Sequence, residues 1–170
     1  MKGPMSQTVY ISVGSNTGDK LANCRKGIAA VAGHTKMALA ATARFYKTAP
    51  MDYTDQDWFV NTAISITTTL SPKILLQALH AVQREIGRTK TTIRFGPRVL
   101  DLDILFYGDQ IVASENLTIP HPRMHQRRFV LQPLCDLAPD WIHPVLKKDM
   151  QTLLLALEPD TQPVERLTIE

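Results

Sequence analysis

In the run Leu100-Asp101-Leu102-Asp103-Ile104, two carboxylates stand two residues apart between aliphatic neighbours. On a strand that spacing sends both side chains to one face, about 6–7 Å apart. Aspartate is disfavoured in strands, and two like charges beside Leu102 and Ile104 need a cation or strong donors to stay ionised. A small number of hard oxygen ligands suits magnesium carried in with a phosphate substrate. An isolated Asp-x-Asp is more often a pair of solvated acids, so its neighbours decide the reading. Just upstream, Arg94-Phe95-Gly96-Pro97-Arg98 holds a Gly-Pro turn that throws Arg98 toward the acidic strand. From 84 to 98, Arg84, Arg88, Lys90, Arg94 and Arg98 stand against Glu85 alone, a local charge of +4 that exceeds the +3 of the whole chain. Such a segment is expected to dock an anion. Guanidinium groups beside a metal-carrying acid pair are the usual equipment for holding a triphosphate and stabilising charge on a transferred group. Downstream, Thr118-Ile119-Pro120-His121-Pro122-Arg123 and Arg127 add a second basic cluster. A lone histidine is more often structural, but His121 within that cluster is a candidate for phosphate or adenine contact.

These residues need elements to position them. Val9, Ile11 and Val13 alternate with Tyr10 and Ser12, a strand with one buried face, which Gly14-Ser15-Asn16 breaks. From Asp19 the period lengthens to that of a helix capped by Asp19, with Leu21, Ile28, Val31 and Ala32 on one face and Gly33 as a left-handed terminus. Residues 43–47 read as a strand and 48–57, with Pro50 and three aspartates, as a long loop. Residues 59–69 are rich in β-branched side chains and alternate strictly, which predicts the longest strand. Ser71 as cap, Pro72 in the first turn, apolar residues from Leu75 to Ile86 at helical spacing and Gly87 beyond predict a second helix. Residues 88–97 show no apolar period and read as a mobile loop, before a strand over 99–106. The order βαββαβ predicts an α+β fold, a ferredoxin-like two-layer sandwich with antiparallel pairing and helices on one face. A hairpin near 110–114, helical turns over 124–137 and a C-terminal helix over 149–157 read as additions.

The chain's 170 residues are 44% hydrophobic and 21% charged, which excludes disorder and fibres and is enough for one core without staples. A single domain over 1–170 is expected, with residues 1–6 as a flexible extension. Its longest apolar stretches fall far short of the roughly 18 residues a membrane span needs, and the N-terminus has no signal core, so a cytoplasmic protein is expected. Cys24 and Cys135 lie in no metal-binding pattern and read as buried, reduced thiols.

The run from Arg94 to Leu105 resembles the signature of the 6-hydroxymethyl-7,8-dihydropterin pyrophosphokinase family. The resemblance extends to Val13-Gly14-Ser15-Asn16, Phe45-Tyr46-Lys47-Thr48-Ala49-Pro50, Phe59-Val60-Asn61, Gly87-Arg88, Thr118 to Arg123 and Arg127-Arg128-Phe129-Val130-Leu131. It implies a ferredoxin-like fold that transfers pyrophosphate from ATP to the hydroxymethyl group of the dihydropterin, releasing AMP, in tetrahydrofolate synthesis. Asp101 and Asp103 would then hold two magnesium ions, and Arg88 and Arg98 would be the mobile-loop arginines that neutralise the triphosphate. ATP would also meet His80, Gln83, Lys90, Ile104, Thr118, His121 and Arg127. Phe59 and Phe129 would sandwich the pterin ring, Asn61 would read its amide edge, and Thr48, Pro50, Met51 and Phe95 would complete that pocket. The chain departs from the family at Gln83, where glutamate is usual near the ribose, and at Thr91, a loop position that can be basic.

From the residues alone, Phe59 and Phe129 equally read as core aromatics, Asn61 as an edge-strand polar group and Thr48 as a turn residue. Two rival classes are weaker. A nucleotidyltransferase would put its Gly-Ser turn close before the acids, whereas here a helix, two strands and another helix intervene. A βαββαβ nucleic-acid module would carry stacking aromatics on its central strands, where this chain carries acids and aliphatics. The expected partners are therefore ATP and the dihydropterin, with no nucleic acid and no membrane, for a chain acting as a monomer.

Overall fold

The computed structural model describes residues 4–87 and 96–169. Part of the expected N-terminal extension (1–3) and most of the expected 88–97 loop (88–95) therefore lie outside the described residues. Strand β1 (Gln7–Ser15) turns every odd residue from Val9 to Val13 into one core. Helix α1 (Lys20–Ala32) follows, its first turn capped by the Asp19 carboxylate, which accepts from the Ala22 N–H at 3.1 Å. Gly33 closes it in helical geometry (φ −80°) rather than the expected left-handed one, since its N–H still reaches Ala29 O at 2.9 Å.

The expected strand at 43–47 is two strands instead, β2 (Met37–Thr42) and β3 (Tyr46–Thr48). Both pair with β4 (Phe59–Thr68), β2 along its far half and β3 along its near half, so together they act as one interrupted strand. The Thr62 hydroxyl bridges the gap, contacting Ala43 O at 3.2 Å and Arg44 O at 2.9 Å. Helix α2 (Pro72–Ile86) forms as expected: Ser71 Oγ accepts from the Ile74 N–H, and Gly87 takes the left-handed conformation at φ +110°. Strand β5 (Asp101–Tyr107) begins two residues later than expected.

The sheet order is β5-β1-β4-β3 with β2 also on β4, all antiparallel, which is the ferredoxin-like arrangement. A short strand not foreseen, β8 (Val164–Arg166), adds to β3, and the expected hairpin is realised as β6 (Val112–Ala113) with β7 (Thr118–Ile119). Helices α1 and α2 cover one face, burying Cys24, Ile28, Val31, Leu75 and Leu79 against Val9, Ile11, Ile64, Ile66 and Leu102. The C-terminal helices, α3 (Arg128–Leu137) and α4 (Met150–Leu155), cover half of the other face and add a partial third layer around Tyr10, Leu105, Phe106, Leu131 and Met150. Cys24 is buried and its thiol is pushed up to about 12 by burial; Cys135 is only half-buried, and neither is in a disulfide.

A bulge in β5 makes this division possible. Val9 pairs with Tyr107 and Tyr10 with Phe106, but Ile11 pairs with Ile104, so Leu105 is the extra residue. Ahead of it, Leu102 and Ile104 face α1 and α2 while Asp101 and Asp103 face the opposite side; after it, Leu105 and Phe106 both enter the second core. No helix among the described residues is long and apolar enough to cross a membrane.

Candidate active site

The half of the sheet face that α3 and α4 leave uncovered forms the floor of a cleft of about 590 Å³. Register defines that floor. Gly14 on β1 lies opposite Asn61 on β4 and opposite Asp101 on β5, while Ser12 lies opposite Ala63 and Asp103. One cross-strand row thus reads Asn61, Gly14, Asp101, and the outer two Cα atoms are two strand spacings, about 10 Å, apart. Gly14 is required there because a Cβ would overlap Asn61 Oδ1.

On the β4 side of that row, the Asn61 amide is buried and its Nδ2 donates to Thr48 Oγ1 at 2.7 Å. Phe59, Thr48, Met51 and, from α3, Phe129 line the same lobe. Ala49 lines it too, whereas Pro50, the expected contact, is not among the lining residues. The walls are braced from outside. Tyr46 on β3 donates to Asp136 of α3 at 2.8 Å, and burial, with that bond next, pushes its hydroxyl up to about 12. The segment before β8 ties the same two walls together: Pro163 O accepts from the Ala49 N–H at 3.1 Å, and Gln162 Oε1 caps the first N–H of α3, at Arg128, at 2.8 Å.

On the β5 side lie Asp101, Asp103 and Arg98, with His80 and Gln83 reaching in from α2 around the edge strand beside Ile104. The Arg98 backbone is held by Asn16, whose N–H donates to Arg98 O at 3.0 Å and whose Oδ1 accepts from the Arg98 N–H at 2.8 Å. The Asn16 Nδ2 continues to Gln56 Oε1 at 2.8 Å, so one buried amide links the arginine to the loop of the other lobe.

Thr118, His121, Arg123 and Arg127 close the cleft from above. The His121 N–H donates to Leu105 O at 3.1 Å, which seats the imidazole beside β5, and its Nδ1 accepts from the Arg123 N–H at 3.2 Å. Burial, then the Arg127 charge, push His121 down to about 4, with Asp101 opposing. The ring is therefore neutral near pH 7 and presents Nε2–H as a donor. Burial also works against the charge of Arg127, while Asp52, Asp103 and Asp101 support it; its guanidinium lies 3.4 Å from Asp52 Oδ2 and 5.5 Å from the centre of the Phe129 ring. Asp52 meets Arg123 as well, at 3.9 Å.

The structure thus gathers into one cleft Arg98, Asp101, Asp103, His80, Gln83, Ile104, Thr118, His121, Arg127, Thr48, Met51, Phe59, Asn61 and Phe129 from the sequence reading. Arg88, Lys90 and Phe95 lie outside the described residues. Three residues were missed. Asn16 read as a strand breaker and as part of a family-like run with no role of its own, Asp52 only as a loop acid, and Gln162 carried no signal because its partners are remote in sequence.

As a metal site, two carboxylates on one face, beside cationic and neutral donors, fit a hard divalent cation that takes its other ligands from phosphate oxygens and water. Among the described residues, no group of three or more His, Cys, Asp or Glu gathers to cage an ion unaided.

Known proteins similar to this chain point to one family. Residues 10–139 match the family model for 7,8-dihydro-6-hydroxymethylpterin-pyrophosphokinase. The chain is 39% identical over 133 residues to a 2-amino-4-hydroxy-6-hydroxymethyldihydropteridine pyrophosphokinase of Bacillus subtilis, covering 78% of this chain and 79% of the relative. It is 41% identical over 137 residues to the enzyme of that name from Haemophilus influenzae, covering 81% and 85%. Among solved structures, Plasmodium falciparum HPPK-DHPS A437G superposes with a TM-score of 0.73 at 14% identity, over 91% of this chain and 46% of that one, a likeness of fold. On this match and these identities, the chain belongs to the 7,8-dihydro-6-hydroxymethylpterin-pyrophosphokinase family.

Proposed function

We propose that the chain transfers the pyrophosphoryl group of ATP to the hydroxymethyl oxygen of 6-hydroxymethyl-7,8-dihydropterin, releasing AMP, as a step of folate synthesis. The observation that carries this reading is the row Asn61, Gly14, Asp101, which sets an amide-and-aromatic lobe for a flat heterocycle beside an acid pair for a polyphosphate. Phe59 and Phe129 offer apolar faces to the bicycle, and Asn61, fixed by Thr48, offers its remaining amide valences to the ring edge.

Asp101 and Asp103 would hold magnesium, which when bound neutralises phosphate charge and aligns the reacting oxygens. Arg98 and Arg127 supply fixed positive charge toward the same lobe, and neutral His121 supplies an N–H donor. The hydroxymethyl oxygen attacks the β-phosphorus in line, the bond from that phosphorus to the oxygen bridging to the α-phosphate breaks, and AMP leaves. The hydroxyl proton passes to solvent. Catalysis on this account is positioning plus charge stabilisation. Arg88 and Lys90 from the segment after α2 are assigned to the triphosphate, and Phe95 to the pterin, by likeness to the family. The same reading takes the chain to act as a monomer in the cytoplasm.

The test is AMP formation from ATP and magnesium with and without the dihydropterin, comparing the native chain with Asp101→Ala. Pterin-dependent AMP, reduced at least about 10³-fold in the variant, is expected. ATP hydrolysis indifferent to the pterin, or an active Asp101→Ala, would overturn the reading.

A further inference from the structure

Strand β5 is an edge strand: it pairs with β1 on one side, and on the other its outward-facing peptide groups have no strand partner among the described residues. One of those groups belongs to Leu102, the residue between the two carboxylates. Its N–H is taken by Gln83 in the last turn of α2, whose Oε1 accepts at 2.7 Å. Gln83 is only 2% exposed, and its amide is one of the few polar groups buried on a helix face otherwise given to Leu75, Leu79 and Val82. A buried polar group at that position is costly unless it is bonded, and this one is bonded to a single peptide.

We infer that Gln83 is a positioning residue for the acid pair. It rests on the reading that Asp101 and Asp103 bind the magnesium-polyphosphate, and it assigns to Gln83 a task other than the ribose contact implied by family likeness. Fixing the Leu102 peptide fixes the pleat on both sides of it, and hence the directions in which the Cβ atoms of Asp101 and Asp103 leave the strand. Without that anchor, an edge strand carrying two like charges on one face would relax by bending, because repulsion between the carboxylates favours their divergence. The helix therefore supplies what a neighbouring strand would have supplied. A glutamine does so without placing a third negative charge beside the pair.

The experiment compares the native chain with Gln83→Leu, which keeps bulk but removes the acceptor, and Gln83→Glu, which keeps an acceptor oxygen. Exchange of the Leu102 amide proton is followed by NMR in the free protein, and the magnesium concentration giving half-maximal AMP formation is measured beside the KM for the dihydropterin. In Gln83→Leu, Leu102 exchange is expected to rise by about tenfold or more and the magnesium requirement several-fold, with the pterin KM unchanged. Gln83→Glu is expected to restore slow exchange, with a magnesium requirement at or below the native one. Unchanged Leu102 exchange in Gln83→Leu would overturn the anchor. Faster exchange with an unchanged magnesium requirement, or a Gln83→Glu that behaves like Gln83→Leu, would overturn the positioning role. If Gln83→Leu does not fold, Gln83→Asn, one methylene too short to reach, gives the same readouts. A native chain that forms no magnesium-dependent AMP would instead defeat the proposed function, which the exchange measurement does not depend on.

Discussion

Gly14→Ala adds one carbon at the point where the two lobes of the cleft meet, and the structure says which lobe must yield. The new Cβ would overlap Asn61 Oδ1, with Asn61 Cγ next at 3.5 Å and Phe59 Cδ1 at 3.9 Å, whereas no atom of Asp101 is among its three nearest neighbours. Asn61 is 4% exposed and donates at 2.7 Å to Thr48 Oγ1, itself 1% exposed, so turning the amide away breaks a buried hydrogen bond. Leaving those groups unpaired costs about 1–3 kcal/mol. Replacing glycine restricts the unfolded chain and returns about 0.4–1 kcal/mol. A net loss of about 1–2 kcal/mol lowers the unfolding midpoint of a chain this size by about 2–8 °C. The catalytic effect is lopsided. With Asn61 assigned to the pterin as proposed, an amide displaced by about 1 Å costs up to about 10²-fold in the use of that substrate. AMP formation measured against each substrate in turn is expected to show the pterin KM raised at least about tenfold with the KM for ATP nearly unchanged. A variant whose ATP dependence moves more than its pterin dependence, or whose pterin affinity is native, would refute the argument that Gly14 exists to seat Asn61.

Gly27→Ala should act on the start of β5 through packing. Its Cβ would meet Leu100 Cδ2 at 2.7 Å in a fully buried site, so overpacking of about 1–3 kcal/mol should outweigh the roughly 1 kcal/mol that alanine adds to a helix. Urea unfolding should show a net loss in the native background and a gain once Leu100→Ala has made room; a gain in both would refute the contact. His121, held at about 4 against an ordinary value near 6.5, binds a proton more readily unfolded than folded. Its contribution is thus fully present above pH 6.5 and is lost as pH falls from 6.5 toward 4. Discounted for partial exposure, the native chain should lose about 1–2 kcal/mol more than His121→Asn between pH 7 and pH 5. Equal losses in urea titrations at the two pH values would sink that account.

The elements legible in the sequence were those whose signal is local. Helix α2 carries its whole grammar within itself, from the Ser71 cap and Pro72 to Gly87, and β1 and β4 alternate because their face against α1 and α2 is aliphatic, although the opposite face proves buried as well and not open as the alternation implied. Strand β2 was not foreseen because beyond Met37 its side chains are all exposed, so no buried face imposes a period. Strand β8 is three residues long and exists through its pairing with β3. The grouping of the acid pair, Arg98 and the expected pocket residues in one cleft was legible through motif and family likeness. What tied them together was not, because Asn16 to Gln56, Gln83 to Leu102 and Gln162 to Arg128 are contacts between segments 19 to 40 residues apart. An amide looks the same in sequence whether it faces water or a peptide.

The extra residue at Leu105 sets what the acid strand will tolerate. It acts as a phase reset: the five residues from Asp101 to Leu105 are written in one reading of inside and outside, and Phe106 and Tyr107 in the opposite one. The chemistry at Asp101 and Asp103 and the packing at Leu105 and Phe106 therefore answer to separate constraints, although they occupy one continuous strand. Substitutions can accumulate after the reset without rotating a carboxylate, and at the two acids before it without emptying a position of the second core. A deletion of one residue at the reset itself is absorbed there, because without Leu105 the strand still sets Ile104 opposite Ile11 and Phe106 opposite Tyr10, and both carboxylates keep their face.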